Sequence, residues 1–141
     1  MFRFQLVAPT GTKFDDQVYE VILPTLDGQI GVLAHHMPLI SVVVNGVIIV
    51  RHDSRENDLA RDFFAVSGGA VIVENNTLKV LVDEADHARD INEAEAKEAL
   101  ERALKLKAEA SDQISLEKAQ SLIDRSNVRL KVASLKRHHQ K

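Results

Sequence analysis

Hydrophobic and polar residues follow two different periods along this chain. Up to Asp83, short runs such as FRFQLV, VYEVIL, LISVVV, VIIV and LKVLVD carry apolar residues at alternate positions or in unbroken blocks, as β-strands do. From Ala85 onward the apolar residues recur at three- and four-residue spacing, which is typical of amphipathic helices. The pattern predicts an all-β domain at residues 1–84, followed by an α-helical domain at residues 85–141.

Turn residues between the strand-like runs predict hairpins. Asn45-Gly46 separates LISVVV from VIIV, and Asn75-Asn76-Thr77 separates AVIVE from LKVLVD. The dipeptide Asn-Gly favours a tight turn in which both central residues have positive φ. Many short strands at regular spacing predict an antiparallel sandwich or a flattened barrel.

Two apolar stripes in the second part predict a pair of helices. The first stripe contains Ala96, Leu100, Ala103 and Leu104. The second stripe follows the short segment SDQIS and contains Leu116, Ala119, Ile123, Leu130 and Ala133. Helices joined by so short a loop are antiparallel neighbours. Because alanine buries little apolar area, we expect the helical hairpin to be weakly stable by itself.

The composition supports the same division and excludes several classes of protein. Every glycine, proline and aromatic residue lies at or before Gly69, whereas helix-favouring residues dominate the second part. With 45% hydrophobic and 28% charged residues, the chain is too apolar for disorder, and its apolar runs are shorter than the roughly 20 residues of a membrane-spanning helix. The absence of cysteine excludes disulfides and thiolate sites. A net charge of -3 argues against general nucleic-acid binding, and the strand pattern of MFRFQLV, too short for a signal peptide, predicts a cytoplasmic protein.

Charge is distributed unevenly over the helical part. Residues 84–112 contain nine acidic and five basic side chains, whereas residues 113–141 contain two acidic and seven basic ones. Asp83, Glu84 and Asp86 cluster at the domain boundary. They could serve as paired acid/base groups, but they are interpreted as acids at a helix start, where the helix dipole stabilises them. Two hypotheses remain open: the two faces attract one another across the hairpin, or the basic second helix binds an acidic partner whenever it leaves the first.

The sequence contains no arrangement that predicts catalysis or a metal site. His35 and His36 are adjacent, so in an extended segment their side chains point to opposite faces and cannot chelate one ion. A small hydrolase that uses His36 would need a nucleophile, and the Gly-x-Ser-x-Gly motif is missing. The segment Ser67-Gly68-Gly69 lacks the lysine of a phosphate-binding loop, so it predicts a bulge in a strand.

Two segments and the alanine-rich hairpin resemble the epsilon subunits of bacterial rotary ATP synthases. The segments are VILPTLDGQIGVLAHHMPL and FAVSGGAVIVENNTLKVLVDEA. The positions that carry the resemblance are Gly28, Gly31, Val32, Leu33, His36, Pro38, Leu39, Ser67, Gly68 and Gly69. His35 departs from the family pattern, because relatives often have Gly or Asn there. The resemblance implies a sandwich of about ten strands, followed by a C-terminal antiparallel helical hairpin.

The resemblance also implies a function. Epsilon subunits are non-catalytic parts of the rotor that join the gamma subunit to the c-subunit ring, on the cytoplasmic side of the bacterial inner membrane. Membrane association then occurs only through partners. The residues that fall on the family's gamma- and ring-facing surface are Gln29, Ile30, Val32, Leu33 and His36.

In this family the hairpin either folds down on the sandwich or extends into the catalytic head of alpha and beta subunits, where it inhibits ATP hydrolysis. The extended form brings the basic second helix close to an acidic segment of the beta subunits. The resemblance and the charge distribution together predict that contact at Arg125, Arg129, Lys131, Lys136 and Arg137.

Some relatives bind ATP in the folded hairpin through an Ile/Leu-Asp-x-x-Arg-Ala motif. Here Asn92 replaces the Asp and Glu95 replaces the Arg, and a carboxylate beside a phosphate disfavours binding, so we expect no cofactor. The remaining candidate ATP-binding positions are Asp86, Asn92, Arg102, Arg125 and Arg129. They support the alternative function, a free-standing ATP-sensing module whose hairpin closes on the nucleotide.

Overall fold

The computed structural model describes residues 1–53 and 61–139, with side chains described up to residue 135 in the last helix. Its strands are β1 (Phe2–Ala8), β2 (Gly11–Val18), β3 (Glu20–Thr25), β4 (Gly28–Leu33), β5 (Leu39–Val43), β6 (Gly46–Arg51), β7 (Asp62–Glu74) and β8 (Thr77–His87). A 3-10 turn at Ala88–Asp90 leads into the helices α1 (Glu93–Glu109) and α2 (Gln113–His139). This order confirms the predicted fold class, a β-domain followed by a helical hairpin.

The eight strands of the described part form one hydrogen-bonded sheet in the order β2-β1-β8-β7-β5-β3-β4, and β6 pairs with both β3 and β7. All eight contribute side chains to a single apolar core, so the sheet wraps over itself into two layers. The runs FFAVSG and AVIVE form one continuous strand, the thirteen-residue β7, and the described part has eight strands where about ten were expected. The pairing is antiparallel except between β1 and β8, which run parallel.

The hairpin predicted at Asn45-Gly46 is wrong. Strands β5 and β6 do not pair with each other, because both pair with different parts of β7 and β3. Neither Asn45 nor Gly46 is among the described residues with positive φ. Instead the Asn45 side chain accepts a hydrogen bond from the Gly68 N–H at 2.8 Å, which ties the connection between β5 and β6 to β7. The hairpin predicted at Asn75-Asn76 is confirmed, with φ values of 51° and 56°.

The helical hairpin lies against the sandwich through α2. Val132 and Ala133 of α2 pack on Phe63 and Ala65 of β7, in a second, smaller apolar cluster. Within the helix pair, the buried stripe residues are mostly small, and they are Ala96, Ala103, Ala119, Ile123 and Ala133. Leu104 was predicted in the stripe but is 50% exposed. The contact between the helices is made at Ala96 and Ala103, and Leu104, the next residue along the helix, is turned away from it. Neither α1 nor the described part of α2 combines the length and apolarity needed to span a bilayer.

Candidate functional site

The loop after β4 is held in a defined shape by backbone contacts. His35 has φ 63°, a left-handed conformation in which Gly and Asn are the usual residues. Its N–H donates to the Asn76 side-chain oxygen at 2.8 Å, and the His36 N–H donates to the Leu33 carbonyl at 3.2 Å. The His36 ring hydrogen-bonds the Met37 carbonyl at 2.7 Å. The loop is therefore a shaped turn, and His35 has a backbone conformation that Gly and Asn adopt more readily than His.

The predicted interface residues of β4 divide between the two faces of the strand. Gln29 and Leu33 are exposed, whereas Val32 is 1% exposed and Ile30 packs partly buried against the core. Because side chains alternate along a strand, Ile30 and Val32 both face the core, with Val32 buried and Ile30 partly exposed. Their contact with a partner stays a prediction. Gln29, Leu33 and the half-buried His36 remain available at the surface.

A second apolar surface lies on the outer face of the sheet, and sequence analysis missed it. Ile40 of β5 lies opposite Ile72 of β7, Val42 lies opposite Ala70, Ala70 lies opposite Leu81 of β8, and Leu81 lies opposite Val7 of β1. We call these residues the outer sheet surface: Val7, Ile40, Val42, Ala70, Ile72 and Leu81. Ile40 is 79% exposed, Val42 47% and Leu81 39%. The unbroken apolar runs in LISVVV and AVIVE were the available signal, because such runs make both faces of a strand apolar.

Two ion pairs join α2 to the end of β8. Arg125 lies 3.2 Å from Glu84, and the Arg129 guanidinium donates to the Asp86 carboxylate. The interpretation of both acids as helix-start residues is therefore wrong, because β8 continues to His87. Of the other predicted contact residues, Lys131 is exposed. The side chains of Lys136 and Arg137 lie outside the described part of the chain.

The candidate ATP-binding residues do not form a free cationic pocket. Arg125 is paired with Glu84, and Arg129 is paired with Asp86. Arg102 lies 4.0 Å from Glu98 on the exposed side of α1, and one groove between the helices is lined by Arg102, Arg129, Glu95 and Glu98. Asn92 caps α1, since its side-chain oxygen accepts the Glu95 N–H at 3.1 Å.

A cluster of two histidines around one carboxylate stands where β8 meets the hairpin. His87 Nε2 lies 2.7 Å from Asp62 Oδ1, and His52 Nε2 lies 2.5 Å from Asp62 Oδ2. The hydrogen bond from His87, followed by that from His52, lowers the pKa of Asp62 despite partial burial of the carboxylate. No local pattern predicts this cluster, because its members are far apart in the sequence. The described residues contain no group of three or more His, Cys, Asp or Glu arranged to hold a metal ion.

Comparison with known proteins assigns the family. Residues 1–88 match the family described as the β-sandwich domain of the ATP synthase delta/epsilon chain. The ATP synthase epsilon chain of Gloeobacter violaceus is 37% identical over 131 residues, covering 93% of this chain and 96% of that relative. The epsilon chain of Lactobacillus helveticus is 33% identical over 141 residues, covering 98% and 96%.

Solved structures share the fold at lower identity. A chain in the Euglena gracilis mitochondrial ATP synthase structure of OSCP, F1 and c-ring has a TM-score of 0.76 at 20% identity, covering 93% of this chain and 79% of its own length. A chain in the central stalk and c-ring structure from Tetrahymena thermophila has a TM-score of 0.63 at 16% identity, covering 95% of both chains. The sandwich, the hairpin and the full-length matches agree, and the chain belongs to the ATP synthase epsilon-chain family.

Proposed function

We propose that this protein is a non-catalytic central-stalk subunit of a proton-translocating ATP synthase, which couples the gamma subunit to the c-subunit ring. Its place is on the cytoplasmic side of the bacterial inner membrane, where it is held through its partners alone. Family membership supports this role.

The outer sheet surface is the observation that carries the proposal. Ile40 and Val42 stand exposed on a sheet face whose neighbouring residues Ala70 and Leu81 are also apolar. A contiguous apolar surface exposed on a folded domain marks a protein interface. The helices cover a different part of the sandwich, at Phe63 and Ala65. We assign the outer sheet surface to gamma, and the exposed residues of the β4 segment, Gln29, Leu33 and His36, to gamma and the ring.

We further propose that the hairpin regulates ATP hydrolysis by moving between two positions. The structure has the folded-down position, in which α2 meets the sandwich through a small apolar cluster and two ion pairs. Exposed or half-exposed ion pairs contribute little, so a second position within a few kcal/mol is accessible. On extension Arg125 and Arg129 lose Glu84 and Asp86 and, with Lys131, Lys136 and Arg137, are free to bind the acidic segment of a beta subunit.

The regulation we propose does not need ATP on this subunit. In the folded hairpin Glu84 and Asp86 already neutralise Arg125 and Arg129, and Glu95 lies in the groove that holds Arg102. A polyphosphate would have to displace these carboxylates or lie against them, which costs affinity. Calorimetry with ATP on the full chain tests this point, because sub-millimolar binding would favour the alternative, a free-standing ATP-sensing module.

Binding of gamma tests the function itself. Ile40→Asp places a charge on the most exposed residue of the outer sheet surface, and Leu104→Asp places the same charge on a half-exposed apolar site of α1. We expect Ile40→Asp to abolish co-purification with gamma, and Leu104→Asp to retain it. Both variants should keep the circular dichroism of the parent chain. Failure of the unmodified chain to recover gamma or the c ring under mild detergent would contradict the proposed function.

A further inference from the structure

Both ring nitrogens of His87 are hydrogen-bonded, and their partners fix its protonation. Nε2 faces Asp62 Oδ1 at 2.7 Å, and Nδ1 accepts the Arg89 backbone N–H at 3.1 Å. A carboxylate only accepts and an amide N–H only donates. Nε2 must therefore carry a hydrogen and Nδ1 must carry none, which is the neutral imidazole.

This ring stands at the root of the helical hairpin. His87 is the last residue of β8 and the N-cap of the 3-10 turn Ala88–Asp90. Ala88, the first residue of the turn, and Ile91, which follows it, are 3% and 5% exposed, and they belong to the apolar cluster that holds α2 on the sandwich. The hydrogen bond accepted by His87 thus anchors the segment through which the hairpin leaves the sheet.

The surroundings of the ring contain one pair of titratable neighbours. Asp62 of β7 bonds His87 directly, and His52, after β6, bonds the other oxygen of the same carboxylate. The Phe64 ring meets His87 edge-on at 4.9 Å. Helix α2 packs apolar side chains against the root of the hairpin, and its Arg129 forms an ion pair with Asp86. The charged neighbours of His87 along the chain are Asp86, Arg89 and Asp90, and Arg61 immediately precedes Asp62.

We propose that His87 is a proton-sensitive cap, and that a proton taken from solvent at Nδ1 releases the root of the hairpin. The imidazolium donates from both nitrogens: it keeps its bond to Asp62 and loses the ability to accept the Arg89 N–H. Histidine is the side chain whose ordinary titration falls between pH 5 and 8. Asp62 stays ionised in that range because the hydrogen bond from His87 and that from His52 lower its pKa. The local release depends on this chain alone, whereas its effect on the motor rests on the proposed function.

Nuclear magnetic resonance on the isolated full chain tests the cap. The imidazole signals of His87 are followed from pH 7.5 to pH 5.5, together with the exchange of the backbone amides. The protection of the Arg89 amide against hydrogen exchange, corrected for the intrinsic pH dependence, should fall over the same range by roughly threefold to tenfold, as the loss of one cap predicts. Equal protection at both pH values, or a His87 ring that does not titrate between them, would overturn the proposal.

Three variants separate the cap from general acid sensitivity. His87→Asn supplies a side-chain oxygen that caps at any pH, so protection at residue 89 should persist and lose its pH dependence. Asp62→Asn removes the charge that stabilises the imidazolium, so the midpoint of the change should move to lower pH. His35→Asn, at an exposed position of the loop after β4, should leave the pH dependence as in the parent. Unaltered pH dependence in His87→Asn would overturn the proposal even if gamma binding, tested separately, is normal.

Discussion

Asn76 accepts a hydrogen bond from the backbone of His35, at 2.8 Å and across 41 positions of sequence. The same side chain donates through Nδ2 to the Met1 carbonyl at 3.1 Å. One amide in the β7–β8 turn therefore ties the loop after β4 to the N-terminus. The exposed residues that we assign to the partner interface, Leu33 and His36, flank this anchor on its loop side.

The conformation of His35 predicts an unusual stabilising substitution. Its φ of 63° costs a residue with a Cβ roughly 1 kcal/mol, and its side chain is exposed. His35→Gly should raise the free energy of unfolding by about 0.5 kcal/mol, after the extra chain entropy of glycine in the unfolded state. Urea unfolding measures the change. His36→Gly is the matched control, because His36 is not among the residues with positive φ, and it should destabilise the protein.

Gly69 predicts the opposite response to a small side chain. A Cβ at this position would lie 1.8 Å from the Leu81 carbonyl oxygen, whereas a Cβ at Gly31 would meet only the Glu20 carboxylate at 3.5 Å. Gly69→Ala must separate β7 from β8, and we expect a loss of at least about 3 kcal/mol of stability. Gly31→Ala should stay within about 1 kcal/mol of the parent. Thermal unfolding of the two variants checks the contrast, and equal melting temperatures would contradict the close approach of β7 and β8.

The sequence was sufficient for the fold class because the hydrophobic period changes near residue 84. It was insufficient where distant segments decide the conformation. Asn45-Gly46 has the local chemistry of a hairpin, yet pairing of β5 and β6 with β7 and β3 overrides it. The parallel pairing of β1 with β8 was also not predictable from local sequence, because it joins the two ends of the β-domain.

The candidate sites show a similar division. The resemblance located the β4 segment, but the phase of the strand, and hence the inward direction of Val32, became clear only from its burial. The partners of Arg125 and Arg129 were unpredictable in the same way, because Glu84 and Asp86 are 41 and 43 positions away. Asp62 and its two histidines meet only because β6 and β8 end where β7 begins.

The Arg129–Asp86 pair predicts a salt-sensitive contact between hairpin and sandwich. Both side chains are about one-third exposed, so their coupling should be roughly 0.5–1 kcal/mol at low salt. A double-mutant cycle with Asp86→Arg, Arg129→Asp and the exchanged pair measures it by urea unfolding. The coupling should shrink at 1 M NaCl, where the Debye length is about 3 Å. Exchange of the more exposed Glu98 and Arg102 is the control, and should give no measurable coupling.

In the complex, the same variants test regulation by the hairpin. Asp86→Arg sets like charges beside Arg129 and should favour the extended position, and therefore lower ATP hydrolysis by the assembled enzyme. The exchanged pair should return hydrolysis towards the parent level. Unchanged hydrolysis in Asp86→Arg, together with a measured loss of the coupling, would argue against inhibition by the hairpin while leaving the stalk function intact.

The Asp62 cluster predicts a stability difference that depends on pH. Because the pKa of Asp62 is lowered in the folded state, first by the hydrogen bond from His87 and then by that from His52, its contribution is present above the unfolded value of about 3.9. The contribution is lost as the pH falls through the lower, folded pKa. Asp62→Asn should therefore cost roughly 1–3 kcal/mol at pH 5, and much less at pH 2.5.

Urea unfolding at the two pH values measures this difference, with Asp27→Asn in the exposed β3–β4 turn as the control. The control should change stability little at either pH, because the described contacts give Asp27 no structural partner comparable to the two histidines. A cost for Asp62→Asn that is equal at pH 5 and pH 2.5 would mean that the carboxylate's charge does not stabilise the fold. The cost would then come from hydrogen-bond geometry that is independent of charge, because an amide offers one acceptor oxygen where the carboxylate offers two, one to each histidine.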